Sequence, residues 1–207
     1  MKKSALIFLI LGLASGCKNS FSVRMTADYF PLTVGNTWLF DVKGNNDYRL
    51  EMRVTGTQVS QGDSLITVEA GGEIYFFQRK AGVVNKVREV YTTYEGEKVV
   101  FGTLYELYLL LPPLEGENWE REFNFSSFHN GENLEKSFFI SVDSVTQTSI
   151  ILNSKNYENV YRIKRTIVED NDSTVEYEWF APDVGLIKKE VPADSLIWEL
   201  VSYQLNE

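Results

Sequence analysis

The sequence has very few residues of the types that cross-link chains or bind zinc. Its 207 residues include one cysteine, Cys17, and one histidine, His129. A chain with one cysteine cannot form an internal disulfide bond, so the burial of apolar side chains must stabilise the fold. A single histidine without cysteine partners does not make a usual zinc site or a catalytic triad. We therefore expect no metal site, and we expect His129 to be a surface residue at a hairpin tip.

Basic residues are also scarce. The chain has 20 Lys and Arg residues against 29 Asp and Glu residues, which gives a net charge of −9. Nucleic acids and anionic lipid headgroups are bound by clusters of Lys and Arg, and the sequence contains no such cluster. We therefore expect no nucleic-acid partner, and any attachment to a membrane must come from another source.

The first 17 residues, MKKSALIFLILGLASGC, combine two lysines, an apolar run over 5–13 and small residues before Cys17. This pattern is typical of a secretory signal peptide, and the apolar run is too short to span a membrane. We expect residues 1–16 to be removed. Residues 14–17 resemble the lipobox of bacterial lipoproteins, and this resemblance implies that Cys17 receives acyl chains such as palmitate. Lys18 resembles an outer-membrane sorting signal, so we expect a lipid anchor in the outer membrane, on its periplasmic or its surface face.

Residues 17–28 lack a regular pattern and are expected to form a tether, followed by one domain over 29–207. In that domain apolar and charged residues alternate, as at Tyr48, Leu50, Met52 and Val54, which is typical of half-buried strands. Turn residues recur at short intervals, and Asn130-Gly131 is the best candidate for a type I′ hairpin turn. The sequence predicts a mainly β fold: a single antiparallel curved sheet or barrel-like meander with at most one or two short helices. A β-sandwich is the alternative.

One segment has a helical pattern. Thr103 and Glu106 match a capping box, an apolar stripe follows at helical spacing, and Pro112-Pro113 would end the element. We expect a short helix up to Leu111, although a buried strand would have a similar composition.

Two groups of acidic residues are candidates for catalysis or for calcium binding. Alternation predicts that Val175, Tyr177 and Trp179 face the core while Glu176 and Glu178 are solvated and not catalytic. The acidic cluster over 169–172 lacks the glycine and distal glutamate of a calcium loop, so a charged hairpin turn is expected.

The tryptophans are the remaining candidates for a binding surface. They are Trp38, Trp119, Trp179 and Trp198. We expect them to fill the core of the β domain, with the alternative that they line an apolar ligand site.

Three motifs carry a family resemblance: YFPLxxGNxW at 29–38, WFAPxxGLIK at 179–188 and WxLxxY at 198–203. They resemble uncharacterised envelope lipoproteins of Bacteroidetes and related bacteria. The resemblance implies a mainly β fold with curved antiparallel sheets like those of envelope lipid-carrier barrels, and it implies no active site. Asp183 stands where those proteins usually have glycine.

The sequence therefore predicts a membrane-anchored lipoprotein that is not an enzyme and needs no cofactor. Its β domain would bind an apolar or lipid-like ligand, and the alternative is a structural or interaction module for other envelope proteins. A ligand carrier predicts an internal apolar cavity larger than about 300 Å³. An interaction module predicts an exposed aromatic patch or a free sheet edge.

Overall fold

The computed structural model describes residues 27–44, 47–60 and 62–206. The signal peptide, Cys17 and the tether up to residue 26 lie outside the described residues. Within those residues the chain forms twelve strands and one 3₁₀ turn, Pro192–Asp194. The strands are β1 (Thr37–Lys43), β2 (Tyr48–Ser60), β3 (Asp63–Ala70), β4 (Glu73–Lys80), β5 (Val83–Tyr94), β6 (Glu97–Leu110), β7 (Trp119–His129), β8 (Glu132–Leu152), β9 (Lys155–Glu169), β10 (Asp172–Ala181), β11 (Gly185–Val191) and β12 (Leu196–Gln204).

The twelve strands form one antiparallel sheet in the order β6-β5-β4-β3-β2-β1-β12-β11-β10-β9-β8-β7. Strands that follow each other in the chain are neighbours in the sheet except β6 and β7, which form its two edges, and β1 also pairs with β12 and so joins the two halves. This confirms the predicted antiparallel meander, and the single continuous sheet differs from the two packed sheets of a sandwich. In the described part of the chain, no helix has the length and apolar character that crossing a membrane requires.

Local sequence patterns account for the individual strands. In β2, Leu50, Met52 and Val54 are buried while the residues between them are exposed, as alternation predicts, but Tyr48 at the start of the strand is 50% exposed. Asn130 and Gly131 both have positive φ angles, 49° and 86°. A type I′ turn requires this conformation at both central residues, so the predicted hairpin is confirmed.

The sheet curves until its two edges face each other. Val90 and Leu104, from one end of the sheet, pack in one cluster with Phe138 and Ile140 from the other end. The Trp119 Nε1 donates a hydrogen bond of 3.3 Å to the carbonyl oxygen of Leu107 across the gap between the edge strands β7 and β6. The resulting shape is a barrel-like sheet whose edge strands meet through side chains, and it encloses an interior.

The helix expected up to Leu111 is wrong, because residues 97–110 form β6. Leu104, Glu106 and Tyr108 alternate on the interior face of this strand and are all buried. Apolar residues also lie on its other face, and apolar residues on both faces of a strand reproduce the spacing of a helical stripe. The segment is a strand because it pairs with β5 along its whole length.

The first two sequence motifs pack against each other. The amide of Asp28 donates to Asp183 Oδ1 at 2.8 Å, and the amide of Asp183 donates to the Asp28 carbonyl at 2.9 Å. Trp38 Nε1 donates to the Val184 carbonyl at 2.6 Å. A Cβ atom at Gly185 would lie 3.1 Å from Pro31, so glycine permits this close approach. Asp183 itself has a φ of 55°, a left-handed conformation that glycine adopts more readily than other residues.

The buried Asn36 connects the end of the chain to the same region. Its Nδ2 donates to the Pro31 carbonyl at 2.9 Å, and its Oδ1 accepts a hydrogen bond of 2.7 Å from the amide of Asn206. Both ends of the domain are therefore fixed at one end of the barrel-like sheet. From this region Phe30 enters the interior, where its ring lies 5.2 Å from that of Phe77 and 5.8 Å from that of Phe180.

Candidate functional site

The interior contains a cavity of about 260 Å³. Strands from both halves of the sheet form its wall, and Phe30 contributes from the N-terminal segment. Asp194, which is exposed, is among the lining residues, so the cavity opens to solvent near the 3₁₀ turn. The volume is slightly below the 300 Å³ expected for a carrier and suits a small molecule. The apolar lining residues are Phe30, Met52, Val68, Ala70, Phe77, Leu186, Val191, Leu196 and Trp198, and the polar ones are Tyr75, Lys86, Tyr108, Thr174, Glu176, Glu178, Lys189 and Asp194.

The prediction that Glu176 and Glu178 are solvated is wrong. Both line the cavity; the Glu178 side chain is 2% exposed and that of Glu176 is 17% exposed. Phe180 shares their face and is fully buried. Alternation separated the two faces of β10 correctly but assigned the wrong one to the interior.

The opposite face of β10 is covered by cationic side chains. The Arg162 guanidinium lies 4.4 Å from the centre of the Tyr177 ring and 5.4 Å from that of Trp179, and the Lys188 ammonium lies 5.1 Å from the Trp179 ring. Their stems shield the indole, so Trp179 is 7% exposed although it does not face the interior.

The Glu178 carboxylate has a partner for each oxygen. Arg165 Nη1 donates to Oε2 at 2.6 Å, and the Tyr108 hydroxyl donates to Oε1 at 2.7 Å. The Lys189 ammonium lies 3.6 Å from the same Oε1. Burial alone would raise the pKa of Glu178, but the charges of Arg165 and Lys189 hold it well below its ordinary value. The carboxylate is therefore ionised at neutral pH, whereas a general acid needs a raised pKa.

Arg165 is the centre of this buried network. Its Nη2 donates to the carbonyl oxygen of Tyr108, and its Nε lies 3.8 Å from Glu106 Oε1. Burial acts to lower the pKa of Arg165, but Glu178 and the other acidic groups around it raise the pKa above its ordinary value. The guanidinium stays charged and needs these partners, because a buried ion without compensation is very unfavourable.

Lys86 differs from the other two cations of this region. Within the described residues its ammonium forms neither a hydrogen bond nor an ion pair, while the Lys189 ammonium lies 2.9 Å from Glu176 Oε1. The centre of the Tyr75 ring lies 5.0 Å from the Lys86 nitrogen. Burial lowers the pKa of Lys86, and the nearby carboxylates, Glu106 above all, offset this only in part. Lys86 is thus a half-buried cation without an ion-pair partner among the described residues, on a wall that has both apolar and charged side chains.

The four tryptophans divide between the two expected roles. Trp38 is 1% exposed and fills the core, and Trp119 and Trp179 pack against the same core cluster. Trp198 lines the cavity instead, and its Nε1 is buried without a hydrogen-bond partner among the described residues. Core filling therefore describes Trp38 and Trp119, Trp179 is buried on the outer face of β10, and a ligand surface describes Trp198.

The remaining candidates lie away from the cavity. His129 ends β7 at the expected hairpin, where its ring packs on Tyr94 at 5.9 Å, so it is half-buried. Asp170 belongs to the turn between β9 and β10, and its carboxylate accepts a hydrogen bond from the amide of Ser137 at 3.1 Å. The acidic cluster is therefore a hairpin turn. The described part of the chain contains no group of three or more His, Cys, Asp or Glu residues placed to hold a metal ion.

One feature of the sequence indicates the buried network, although it is not visible when each strand is considered alone. Arg165 lies between Ile163 and Ile167 on one face of β9, which places a charge within an apolar face. In the hairpin of β9 and β10, Ile163 is opposite Glu178, so Arg165 is the diagonal neighbour of that carboxylate. Aligning the two strands about the turn at 170–171 would have placed Arg165 directly opposite Glu176 and diagonal to Glu178.

Comparison with known proteins yields two structures of similar fold. No protein-family model and no curated protein matches the chain. A candidate lipoprotein from Parabacteroides distasonis ATCC 8503 is 11% identical, with 86% of this chain and 99% of that chain covered and a TM-score of 0.48. A candidate exported protein with a YmcC-like fold from Bacteroides fragilis NCTC 9343 is 11% identical, with 86% and 100% covered and a TM-score of 0.43. Function therefore has to be argued from the cavity.

Proposed function

We propose that this protein is a lipoprotein of the bacterial cell envelope, anchored in the outer membrane through Cys17, whose β domain binds a small and mainly apolar molecule without catalysing a reaction. The observation that carries the proposal is the cavity of about 260 Å³ in the interior of the sheet.

The cavity is a pocket between interior side chains that is open to solvent near Asp194. A water molecule occupies about 30 Å³ in the liquid, so the cavity has room for about nine groups of that size. Nine of the seventeen lining side chains are apolar and supply the larger part of the lining surface, which favours a mainly apolar occupant.

The proposed anchor would keep the cavity close to the membrane. Nine residues, 18–26, lie between the expected lipid attachment site, Cys17, and the first described residue, Ala27, so ten residue steps separate the two. A chain of ten residues spans at most about 35 Å when fully extended. Asp28 is already bonded to Asp183, so the domain cannot move farther from the membrane than this segment allows.

The alternative function, an interaction module, predicts an exposed aromatic patch or a free sheet edge. The two edge strands, β6 and β7, face each other through side chains. The most exposed large apolar residues include Val59, Phe128 and Ile151. They lie near the tips of three different hairpins, β2–β3, β7–β8 and β8–β9. Isolated exposed apolar residues are normal in soluble domains, so the cavity is the better-supported site.

Filling the cavity tests the proposal. Ala70 lines it, and Ala70→Leu adds three carbon atoms there; Glu69→Leu places the same side chain at the neighbouring exposed position of β3 and is the matched control. Isothermal titration calorimetry would use the unlipidated mature chain, residues 17–207 with Cys17→Ser, and two probes, 1-octanol and octanoate. We expect at least one probe to bind the parent chain and the control, and to bind Ala70→Leu at least tenfold more weakly. Binding of neither probe, or equal binding by Ala70→Leu, would contradict the proposal.

A further inference from the structure

We infer that the ligand of the cavity carries a carboxylate on an apolar body of about eight carbon atoms, and that Lys86 binds this carboxylate. The inference rests on the proposed function and specifies the chemical class of the ligand. It covers a free medium-chain acid and the acidic end of a larger lipid alike.

Three cations, Lys86, Arg165 and Lys189, and three carboxylates, Glu106, Glu176 and Glu178, lie around the cavity, and the exposed Asp194 lies at its opening. Arg165 is paired with Glu178 at 2.6 Å, and Lys189 is paired with Glu176 at 2.9 Å. Lys86 lines the same cavity, but its ammonium has no carboxylate within ion-pair distance in the described residues. Of these three cations, Lys86 is therefore the one with donors available to a ligand.

Glu106 is the carboxylate that is placed to neutralise Lys86. The two residues are directly opposite each other on β6 and β5, where opposite charges usually pair. The Glu106 carboxylate instead approaches Arg165 Nε, at 3.8 Å, and its side chain is 4% exposed. Because Glu106 is directed towards the buried guanidinium, the Lys86 ammonium is left at the cavity wall beside the Tyr75 ring.

The surroundings of the Lys86 ammonium shift its pKa. Burial lowers the pKa of Lys86 in spite of Glu106, Glu176 and Glu178, and Lys189 lowers it further. The ammonium is thus under-compensated, and an additional carboxylate at hydrogen-bond distance would stabilise its charged form. A ligand without a hydrogen-bond acceptor would not offset the unfavourable burial of the Lys86 charge.

The size and the apolar wall of the cavity limit the rest of the ligand. Room for about nine water-sized groups corresponds to a carboxylate on a chain of about eight carbons. Met52, Val68 and Leu186 supply apolar wall for such a chain, and Phe30 adds an aromatic ring. A much longer chain would have to extend through the opening near Asp194.

The experiment compares octanoate with 1-octanol, which has the same chain and no charge, by isothermal titration calorimetry on the unlipidated mature chain at neutral pH. Lys86→Met keeps the length of the side chain and removes its charge. The matched control is Lys98→Met, because the Lys98 ammonium also lies over a tyrosine ring, 4.4 Å from the centre of Tyr91, but outside the cavity. Thermal unfolding of each variant checks that it is folded.

We expect octanoate to bind the parent chain more tightly than 1-octanol. Lys86→Met should weaken octanoate binding by about 10- to 100-fold, which is typical of losing a hydrogen bond to a charged group, and should leave 1-octanol binding unchanged. Lys98→Met should bind both probes as the parent does, and Lys86→Arg should retain part of the preference for octanoate.

A second measurement needs no variant. Octanoate affinity should fall as the pH rises through the pKa of Lys86, which lies below 10.5, while 1-octanol affinity stays constant. Glu106, Glu176, Glu178, Lys189, Tyr75 and Tyr108 face this site. Burial raises the pKa of Tyr75 and Tyr108, the charges of Arg165 and Lys189 outweigh burial and lower the pKa of Glu178, and Glu178 and Glu176 raise the pKa of Lys189 in spite of its burial, so these four groups titrate outside the range of Lys86. Equal affinity for the two probes, or an unchanged octanoate affinity in Lys86→Met, would overturn the inference. Binding of neither probe would instead overturn the proposed function.

Discussion

Replacing Glu178 by glutamine should destabilise the domain strongly, although a sequence-based assignment to the solvated face predicts almost no effect. The carboxylate is 2% exposed and accepts hydrogen bonds of 2.6 Å from Arg165 and 2.7 Å from Tyr108. Glutamine keeps an acceptor for the tyrosine but removes the negative charge beside the buried guanidinium. Arg165 would then depend on Glu106, whose oxygen lies 3.8 Å from Nε.

The expected loss follows from this uncompensated cation. Removing one partner of a buried ion pair costs about 3–5 kcal/mol, which is a large part of the 5–15 kcal/mol by which domains are usually stable. Urea denaturation of the unlipidated mature chain, followed by tryptophan fluorescence, measures this free energy of unfolding. The matched control is Glu51→Gln, because Glu51 is 51% exposed and pairs with Arg53 at the surface. We expect the control to change stability by less than about 0.5 kcal/mol.

A double replacement separates loss of charge compensation from a simple loss of packing. Arg165→Met combined with Glu178→Met removes both charges and keeps apolar volume in the interior, and such exchanges are often neutral or stabilising. The double variant should therefore be more stable than Glu178→Gln alone. If Glu178→Gln unfolds at the same urea concentration as Glu51→Gln, the carboxylate is not buried against Arg165 and the described network is wrong.

Two further predictions concern acidity and the membrane anchor. The pKa of Glu178 is lower in the folded than in the unfolded chain, so its stabilising effect is complete above the ordinary value of 4.5 and is lost as the pH falls towards the folded pKa. Urea denaturation between pH 6 and pH 3 should show a loss of stability below about pH 4.5 that is smaller in Glu178→Gln; equal pH dependence of the two chains would contradict this. Cys17→Ala should move the protein from the membrane fraction to the soluble fraction, and mass spectrometry of the parent should find acyl chains on Cys17. A parent protein that is soluble at its unlipidated mass would exclude the anchor.

The strands and their hairpins could be predicted because they depend on short-range patterns. Alternation in β2 and the Asn130-Gly131 turn involve residues that are close in the sequence, and the structure has both where they were expected. The helix predicted from Thr103 to Leu111 is wrong because a strand with apolar residues on both faces has the same apolar spacing as one face of a helix. In that case pairing with β5 decided the structure, and such pairing is not visible within the segment.

The candidate site was missed for a related reason. Charged residues on one face of a strand normally identify the solvated face, and by that rule Glu178 belongs outside. The rule fails when another strand supplies a compensating charge, as Arg165 does from β9. Lys86 carried no such signal at all, because its importance depends on Glu106 being directed towards Arg165 and on the cavity in front of it.

The motifs that resemble envelope lipoproteins and the residues of the candidate site have different roles in this fold. The contacts of Pro31 with Gly185, of Trp38 with Val184 and of Asn36 with Asn206 fix the chain ends at one end of the barrel-like sheet. Lys86, by contrast, belongs to none of the motifs. In this chain the motifs therefore fix one end of the sheet, while the polar groups of the interior come from residues outside them. The proposed ligand thus depends on Lys86 and its neighbours, and the motifs alone do not predict it.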